Sequence, residues 1–375
     1  MRIAFLTELF PYYKGEGLVI SGGGEARFYF LAKNLASKHE VHVITTRAFA
    51  GTKPFEEMGG FAVHRLVPFR GPGLASLFFA RAALKFLRKE HFDAVDANQF
   101  LPHVVNCAAG HGGKIINTLH DVYAAYGGLP FWIKMGLVRG LGGWAVEKLQ
   151  LKFDSKADLV IAVSEWTAQK AIKFGIPRHK LAIVPNGIDF KTIKRFSRAQ
   201  RKPIIVCVSR FIEYKHQDHA VCAFAELTRY DPELQLHFVY SGSIGGYENR
   251  IRRLVQKLKL EKKIFFHKAV SEKEKFSLLS SARLMLFPSH VEGQGIAILE
   301  ALACGTPVVA YNLPAYKGAL FDGKNGFAAR LGDVTGLASK ALIALEKFST
   351  LSKAASASAK RFDWTALAKK YEKLL

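Results

Sequence analysis

The sequence has 375 residues, of which 49% are hydrophobic, with 54 lysines and arginines against 31 aspartates and glutamates. This length exceeds that of a domain with a single hydrophobic core and suits two domains. The hydrophobic content excludes a largely disordered chain. The formal charge of +23 favours an anionic partner, which is nucleic acid, a phosphorylated ligand or an acidic membrane surface.

The cysteines and the apolar runs indicate the cellular compartment of the protein and whether it spans a membrane. The scattered Cys107, Cys207, Cys222 and Cys304 form no C-x-x-C pair, which is typical of buried thiols in a reducing cytosol. The apolar run in MRIAFLTELFPYY is too short for a signal-peptide core, and no run reaches the length of a bilayer. The sequence therefore predicts a cytoplasmic protein, soluble or peripheral on the membrane.

The first half alternates strand-like and helix-like patterns. A β-rich run at 2–8 precedes the glycine-rich loop SGGGEA (21–26) and a helical pattern over 25–39. Further strands are predicted at 41–46, 61–67, 92–97, 114–121, 157–164 and 181–187. Their apolar runs lack strict alternation, which indicates a parallel sheet covered by helices on both faces.

A basic, weakly periodic segment at 188–203 is predicted to be a linker to a second α/β series. The strands of this series are predicted at 203–210, 234–242, 263–270, 282–289 and 307–311, with helices at 219–230 and near 247–260. An amphipathic helix is predicted within 361–375. Two doubly wound domains are the simplest fit, and such folds bind ligands at the C-terminal ends of strands.

The stretch PSHVEGQGIAILEALACGTPVVA, which begins at Pro288, holds two glutamates eight positions apart. Gly295 is predicted to begin a helix that Gly305 caps. Glu300 lies about one and a half turns into this helix, where its carboxylate suits two neighbouring sugar hydroxyls while the helix start suits phosphate. A glutamate on the solvated face of a helix would explain the same spacing.

This stretch resembles the E-x7-E signature of retaining, nucleotide-sugar-dependent glycosyltransferases of family 4, which have the GT-B fold. Other segments resemble the family in the same order: SGGGEARFYFLAKNLASKHEVHVIT, INTLHD, VSEWTAQK, VPNGID, the R-x4-K segment VCVSRFIEYKHQDHAV, and RFDWTALAKKY. The resemblance covers essentially the whole chain. It implies an α/β protein with two doubly wound Rossmann-like domains facing across a deep cleft.

The resemblance also implies which domain binds which substrate. Residues 1–187 would form the acceptor-binding domain, with the C-terminal helix at 360–375 packed back on it. After the linker at 188–203, residues 204–359 would form the domain that binds the nucleotide-sugar donor.

The resemblance further implies which residues form the site. Arg210 would grip the donor diphosphate by a bidentate fork and Lys215 as a point charge. Glu300 would bind the donor ribose, and Glu292 would lie beside the transferred sugar or its phosphate. The other positions implied in donor binding are Gly293, Gly295 and Ile296, and those of the glycine loop are Gly23 and Gly24.

His120 ends the strand KIINTLH and precedes Asp121. In the family the equivalent histidine lies beside the transferred sugar, so His120 and Glu292 are the predicted catalytic residues. Asp121 would orient the imidazole or cap the segment that follows. The alternative is that His120 is a satisfied structural histidine.

No D-x-D motif occurs, so the acidic metal clamp of the other main glycosyltransferase fold has no candidate. Arg210, Lys215 and helix N-termini would neutralise the departing phosphate charge, and we expect neither a metal nor a cofactor besides the nucleotide-sugar co-substrate. Retention of anomeric configuration rests on the resemblance alone. The chain departs from the family at Gln294, usually aromatic, and at His216, usually glycine.

Basic residues interleave with apolar ones at 69–89 and 130–153, in the domain expected to hold the acceptor. Basic amphipathic helices with Phe and Trp suit an anionic membrane surface, so a lipid or lipid-linked acceptor is one hypothesis. Core-facing helices with solvated basic sides are the other.

Competing functions are a nucleotide-sugar epimerase on the related scaffold and a basic nucleic-acid-binding protein. The combination of R-x4-K with E-x7-E favours transfer over epimerisation. Nucleic acid is not the expected partner, because no RNA-recognition or zinc-finger signature accompanies the charge. The resemblance therefore implies a hexosyltransferase that uses a UDP- or GDP-sugar and a hydroxyl acceptor.

Overall fold

The computed structural model describes residues 1–14, 17–20, 22–49, 51–68, 74–133, 137–196 and 200–375. The chain divides into two compact units, Met1–Asn186 with Trp364–Leu375, and Gly187–Asp363. Small parts of the glycine loop, of both basic stretches and of the predicted linker lie outside the described residues, at 21, 69–73, 134–136 and 197–199.

The first unit is built on a mainly parallel sheet. Its strands are β1 (Arg2–Leu6), β2 (Tyr12–Lys14), β3 (Gly17–Val19), β4 (Glu40–Arg47), β5 (Phe55–Met58), β6 (Phe61–Pro68), β7 (Ala94–Asn98), β8 (Lys114–Leu119), β9 (Leu159–Ala162) and β10 (Leu181–Ile183). Eight of them pair in the order β10-β9-β8-β7-β1-β4-β6-β5, and β2 pairs with β3 as a separate hairpin. Within the large sheet β5 is antiparallel to β6, and the other pairs are parallel.

Helices cover both faces of this sheet. They are α1 (Gly23–Leu35), α2 (Leu74–Lys89), α3 (Leu101–Ala109), α4 (Leu129–Ile133), α5 (Leu137–Asp154) and α6 (Glu165–Lys173). Ile3 and Phe5 of β1 pack in one core cluster with Phe28 of α1. Ala4 and Leu6 point to the other face, into the cluster that holds Phe79 of α2. A strand buried on both faces needs apolar residues throughout, as the predicted runs have.

The second unit has a six-stranded, fully parallel sheet. Its strands are β11 (Ile204–Val208), β12 (Gln235–Tyr240), β13 (Ile264–Lys268), β14 (Leu284–Phe287), β15 (Val308–Tyr311) and β16 (Gly326–Ala329). They pair in the order β13-β12-β11-β14-β15-β16. The helices are α7 (Phe190–Lys194), α8 (Gln217–Tyr230), α9 (Tyr247–Lys257), α10 (Glu272–Ser281), α11 (Ile296–Ala303), α12 (Val334–Glu346) and α13 (Phe348–Ala359).

The segment at 188–203 contains α7 and is counted with the second unit. The Asp189 carboxylate caps this short helix by accepting a hydrogen bond from the backbone N–H of Thr192 at 3.0 Å. An N-cap of this kind satisfies one of the donors that a helix start leaves unpaired.

The chain returns to the first unit with α14 (Trp364–Glu372). Trp364, Leu367 and Tyr371 of this helix join the core cluster on the α1 face of the sheet. The Tyr371 hydroxyl donates to Asp96 at 2.9 Å, which fixes α14 to the buried middle of β7.

Both sheets contain a topological switch point. Strand β1 lies between β4 and β7, and β11 lies between β12 and β14, so the chain leaves the first strand of each sheet in one direction and later returns to its other side. Loops at the C-terminal ends of such strands diverge and leave a crevice for ligands. The loops after β1 and β7, and those after β11 and β14, are therefore where each unit is expected to bind. Among the described helices, none is long and apolar enough to cross a bilayer.

Candidate active site

The loop after β11 carries Arg210 and Lys215. Arg210 is exposed two residues beyond the strand end. The side-chain amide of Gln217 donates to the Arg210 carbonyl at 2.9 Å and to the Ser209 hydroxyl at 2.8 Å, which fixes the start of the loop. Lys215 ends a 3-10 turn, and its side chain is only 12% exposed. The loop thus presents one exposed and one largely covered cation at the switch point.

Lys215 reaches across to the loop after β14. Its ammonium nitrogen lies 2.5 Å from Oε1 of Glu292 and donates to the Val291 carbonyl at 3.3 Å. A second link joins the same loops, since the His290 N–H donates to the Tyr214 carbonyl at 2.9 Å. Lys215, predicted to bind the donor diphosphate, and Glu292, predicted to be catalytic, lie 77 positions apart in the chain and form an ion pair. A bound phosphate would compete with Glu292 for this ammonium group.

The glycine-rich bend after Glu292 leads into α11. Gly295 is the N-cap, with φ 81° and ψ 62°, and a Cβ atom there would lie 2.9 Å from Cε1 of Tyr316. Gly293 and Gln294 are buried beside it. Within the described chain no side chain caps α11, whose first residue is Ile296. An uncapped helix start directs N–H groups and a partial positive charge outward, which suits an anion.

Substituting Gly295 with alanine should destabilise the second unit by about 1–3 kcal/mol, because the new methyl group combines a left-handed backbone with the close approach to Tyr316. Urea unfolding followed by circular dichroism would measure the change. Gly242→Ala is the matched control, since a Cβ there meets no atom within 4 Å in the described part of the chain. Equal losses for the two variants would contradict the prediction.

Glu300 lies in α11 beside a cation that the sequence analysis missed. The ammonium nitrogen of Lys275, from α10, lies 2.8 Å from Oε1 of Glu300 and 2.8 Å from Oε1 of Glu272. Burial raises the pKa of the Glu300 carboxyl, and the charge of Lys275 opposes that rise. Burial also acts to lower the pKa of Lys275, but Glu300 and Glu272 outweigh it and raise that pKa. The charge of Glu300 is therefore balanced within the protein.

The glycine loop of the first unit ends at α1, which begins with Gly23. Gly24 packs against the end of β7, where a Cβ atom would lie 2.7 Å from Nδ2 of Asn98. The small residue lets the helix start approach the switch point between β1 and β7. Glu8, just beyond β1, lies near the same point, and burial raises the pKa of its carboxyl. Sequence reasoning did not single out Glu8 or Asn98, although a polar residue at or just beyond the end of a parallel strand was the available signal.

His120 directly follows β8. Its Nε2 atom is buried and has no hydrogen-bond partner among the described residues. Burial, assisted by the charges of Arg27 and His103, lowers the pKa of the imidazole to about 3. A neutral imidazole at a strand end, with one ring nitrogen that has no partner among the described residues, can form a hydrogen bond to a ligand.

Asp121 makes contacts that favour the capping role over orientation of His120. Its carboxylate forms an ion pair with Lys170 and accepts from the Val122 N–H at 2.8 Å. The Tyr126 hydroxyl also donates to Asp121, at 3.2 Å. These contacts fix the 3-10 turn that follows β8.

The low pKa of His120 predicts a pH-dependent stability. The folded chain keeps this ring neutral down to about pH 3, whereas the unfolded chain protonates it near pH 6.5. The contribution of the neutral ring to the unfolding free energy is therefore fully present above pH 6.5 and is lost as the pH falls below that value. Between pH 8 and pH 5 the wild type should lose about 2 kcal/mol more unfolding free energy than His120→Gln. Urea unfolding at both pH values would test this, with the exposed His179→Gln as control. Parallel pH curves for wild type and His120→Gln would refute it.

Comparison with known protein families identifies both halves of the chain. Residues 21–192 match the family described as Glycosyltransferase Family 4, and residues 189–362 match Glycosyl transferases group 1. The chain belongs to these glycosyltransferases. This glycosyltransferase has the GT-B fold, with two Rossmann-like parallel sheets.

Curated relatives of the glycosyltransferase include N-acetyl-alpha-D-glucosaminyl L-malate synthase of Bacillus anthracis. The two are 25% identical over 365 residues, which cover 91% of this chain and 87% of the relative. A GDP-mannose-dependent alpha-(1-6)-phosphatidylinositol monomannoside mannosyltransferase of Mycolicibacterium smegmatis is 30% identical over 194 residues, or 47% of this chain and 50% of the relative.

Solved structures share the fold of the glycosyltransferase at low identity. Sucrose-phosphate synthase from Thermosynechococcus elongatus superposes with a TM-score of 0.83 and 19% identity, covering 100% of this chain and 98% of the other. HepE of Anabaena, in complex with UDP and glucose, superposes with a TM-score of 0.77 and 18% identity, covering 100% and 99%.

Helix α2 of the glycosyltransferase has two distinct faces. Phe79, Ala83 and Leu87 are buried in the core. Leu77 and Phe78 are 56% and 66% exposed, and they precede an exposed basic run along the helix. The exposed basic residues are Arg81, Lys85, Arg88 and Lys89. Spacings of three and four place Phe78, Arg81 and Lys85 on one side of the helix. The basic stretch is thus both a core helix and an exposed amphipathic surface.

Proposed function

We propose that this glycosyltransferase moves a sugar from a UDP- or GDP-sugar to a hydroxyl acceptor with retention of configuration and without a metal. The observation that carries the proposal is the Lys215–Glu292 ion pair beside the uncapped start of α11, at the switch point of the second sheet. Covered cationic charge and a helix start without a side-chain cap, at one crevice of the described residues, match a diphosphate.

The donor diphosphate would replace Glu292 as the anion that pairs with the Lys215 ammonium group. It would also accept hydrogen bonds from the backbone N–H groups at the start of α11. Exposed Arg210, on the same loop as Lys215, would add a second cation to the phosphates. Glu292, once released, would face the transferred sugar. With this much cationic charge, the leaving diphosphate needs no divalent metal to be stabilised.

Glu300 would accept hydrogen bonds from the ribose hydroxyls while Lys275 keeps it ionised. An ionised carboxylate is acceptor-only, so it can serve two hydroxyl donors at once. The partner lysine supports this role, because a protonated Glu300 would lose half of that capacity.

In the transfer step the bond between the anomeric carbon and the diphosphate oxygen breaks, and a bond to the acceptor oxygen forms on the same face. The acceptor proton goes to the departing phosphate oxygen, so atoms and charges balance. Neutral His120 would donate or accept a hydrogen bond to the sugar without carrying the proton.

Calorimetric titration with UDP, GDP and ADP, in the presence of a chelator, tests the donor site. Wild type should bind one of the three with micromolar affinity, and Glu300→Ala should weaken it by a factor of about 10, the loss expected for hydrogen bonds to a charged group. Glu226→Ala is the matched control, since Glu226 is a 47% exposed helix residue of the same unit.

Three outcomes would count against the proposal. Binding of none of the nucleotides, even with magnesium, would remove the donor site. Binding that requires magnesium would refute metal independence alone. Equal affinities for wild type and Glu300→Ala would refute the ribose role. Analysis of the product anomer by NMR, once a donor is known, would test retention.

We further propose that the acceptor is a lipid or a lipid-linked glycan, reached from an anionic membrane surface through α2. The exposed Leu77 and Phe78 beside the basic run of this helix support the proposal. The relative of Mycolicibacterium smegmatis, whose name includes phosphatidylinositol monomannoside, also supports it.

Flotation with vesicles tests the membrane proposal. The protein should float with anionic but not with zwitterionic vesicles at low salt, and Leu77→Ser with Phe78→Ser should abolish flotation. Tyr230→Ser, which replaces a 71% exposed aromatic residue of the second unit, is the control. Absence of binding to anionic vesicles at low salt would overturn the proposal.

A further inference from the structure

Three histidines meet at the switch point of the second sheet, outside the predicted donor contacts. His216 and His219 lie at the start of α8, and His290 lies in the loop after β14. One potential ligand atom from each ring lies within 4.8 Å of the others. The ring centroids of His216 and His290 are 3.8 Å apart, and those of His216 and His219 are 4.3 Å apart. Such packing brings three imidazoles almost to the spacing of ligands on one ion.

Two nitrogen atoms of these rings lack a hydrogen-bond partner among the described residues. Within the described part of the chain, Nδ1 of His216 and Nε2 of His290 are buried and have no hydrogen-bond partner. Nδ1 of His216 faces the Asp218 carboxylate, whose Oδ1 atom lies 3.4 Å away. A buried imidazole nitrogen without a partner costs free energy that a ligand can recover.

The surroundings supply what metal-binding histidines need. Nδ1 of His219 lies 2.8 Å from the Tyr311 hydroxyl, an outer contact that orients the ring and leaves its other nitrogen for a ligand. The Asp218 carboxylate, which accepts from the Tyr247 hydroxyl at 2.6 Å, adds negative charge beside His216. This charge offsets the positive end of the α8 dipole, which by itself would repel a cation.

We propose that His216, His219 and His290 bind one divalent transition metal of the Zn²⁺ class. Three imidazoles around an open fourth position form a known zinc ligand set, and tetrahedral coordination at about 2.0–2.1 Å requires ligand nitrogens about 3.3 Å apart. The rings need only a small inward movement to reach that spacing. All three residues are partly exposed, which places the cluster at the edge of the unit rather than deep in its core.

The site is separate from the donor chemistry proposed above. The metal would join the loop that carries Lys215 to the loop that carries Glu292, beside the existing hydrogen bond from His290 to the Tyr214 carbonyl. The metal ligands are imidazoles of the protein, so the site holds the two loops together and does not serve as a clamp on the diphosphate.

Zinc titration of the untagged full-length chain, after dialysis against a chelator, tests the proposal by calorimetry. Wild type should bind one Zn²⁺ per chain, and Co²⁺ should give the intense visible absorption of a tetrahedral site. His216→Gly and His290→Ala should each weaken zinc binding by at least about 100-fold, the upper limit for loss of an outer contact. Zinc should also raise the melting temperature of wild type and not that of the variants.

His216→Gly is the decisive variant, because His216 has a φ of 49°, which glycine adopts without strain. Loss of zinc binding in this variant therefore does not report misfolding. The control is His237→Ala with His267→Ala, a second histidine pair of the same unit whose ring nitrogens lie 2.9 Å apart. The proposal is overturned if wild type binds no stoichiometric zinc, if His216→Gly binds as tightly as wild type, or if the control variant loses the zinc.

Discussion

Replacing Lys215 with methionine is expected to lower kcat/KM for sugar transfer about 100- to 1,000-fold, the usual cost of removing one preorganised group that stabilises developing charge. Methionine keeps most of the side-chain volume near Phe287 but removes the cation that pairs with Glu292. Steady-state kinetics with the donor selected by titration would measure the change.

The matched control for this prediction is Lys268→Met. Lys268 belongs to the same unit, but its side chain is 58% exposed and its ion pair with Glu248 spans 3.6 Å. We expect kcat/KM of this variant to stay near that of wild type, because an exposed pair contributes little. A fall of less than 10-fold for Lys215→Met, with the fold intact, would contradict the diphosphate role.

Replacing Arg27 with methionine is expected to destabilise the first unit by about 3–5 kcal/mol, the cost of breaking one side of a buried ionic network. Arg27 is fully buried in α1, and its Nη1 donates to the carbonyls of Val184 at 2.9 Å and Pro185 at 3.2 Å. Its charge also opposes the burial that raises the pKa of Asp96 to about 6. Without Arg27, two carbonyls lose their donor and Asp96 loses its nearby cation.

Urea unfolding measured at pH 8, where Asp96 is ionised, tests this prediction. Lys33→Met, an exposed position on the same helix, should change the unfolding free energy little. The double variant Arg27→Met with Asp96→Asn should recover part of the loss, since the uncompensated carboxylate is then absent. A loss for Arg27→Met no larger than for Lys33→Met would show that the network is dispensable.

Buried parallel strands were the most predictable part of the fold. Ile204–Val208 is buried at every position, so its apolar run carries a clear strand signal. The edge strand Phe55–Met58 is short and carries two glutamates, and Gly326–Ala329 consists mainly of small residues. Neither has the long β-branched run from which a strand is predicted, because pairing with a neighbour rather than local preference creates it.

The candidate site was predictable in its motif residues but not in their partners. Gly295 was expected to begin a helix, and it is the N-cap of α11. Lys275 precedes Glu300 by 25 positions on another helix, so no local pattern reports their ion pair. In the same way, His216 and His290 become neighbours only because β11 and β14 are adjacent in the sheet. Sequence reasoning locates strand ends, whereas the topology of the sheet decides which strand ends meet.

The position of α14 has a consequence for synthesis of the chain on the ribosome. Trp364–Leu375 completes the first unit, so every residue of Gly187–Asp363 is translated before the first unit has all its own residues. Until then the nascent first unit lacks the Trp364 ring that stacks on Phe30 and the Tyr371 hydroxyl that binds Asp96. Since domains fold as units during translation, the later-encoded unit is able to finish folding first. Until α14 is translated, the core of the earlier unit lacks the side chains of Trp364, Leu367 and Tyr371.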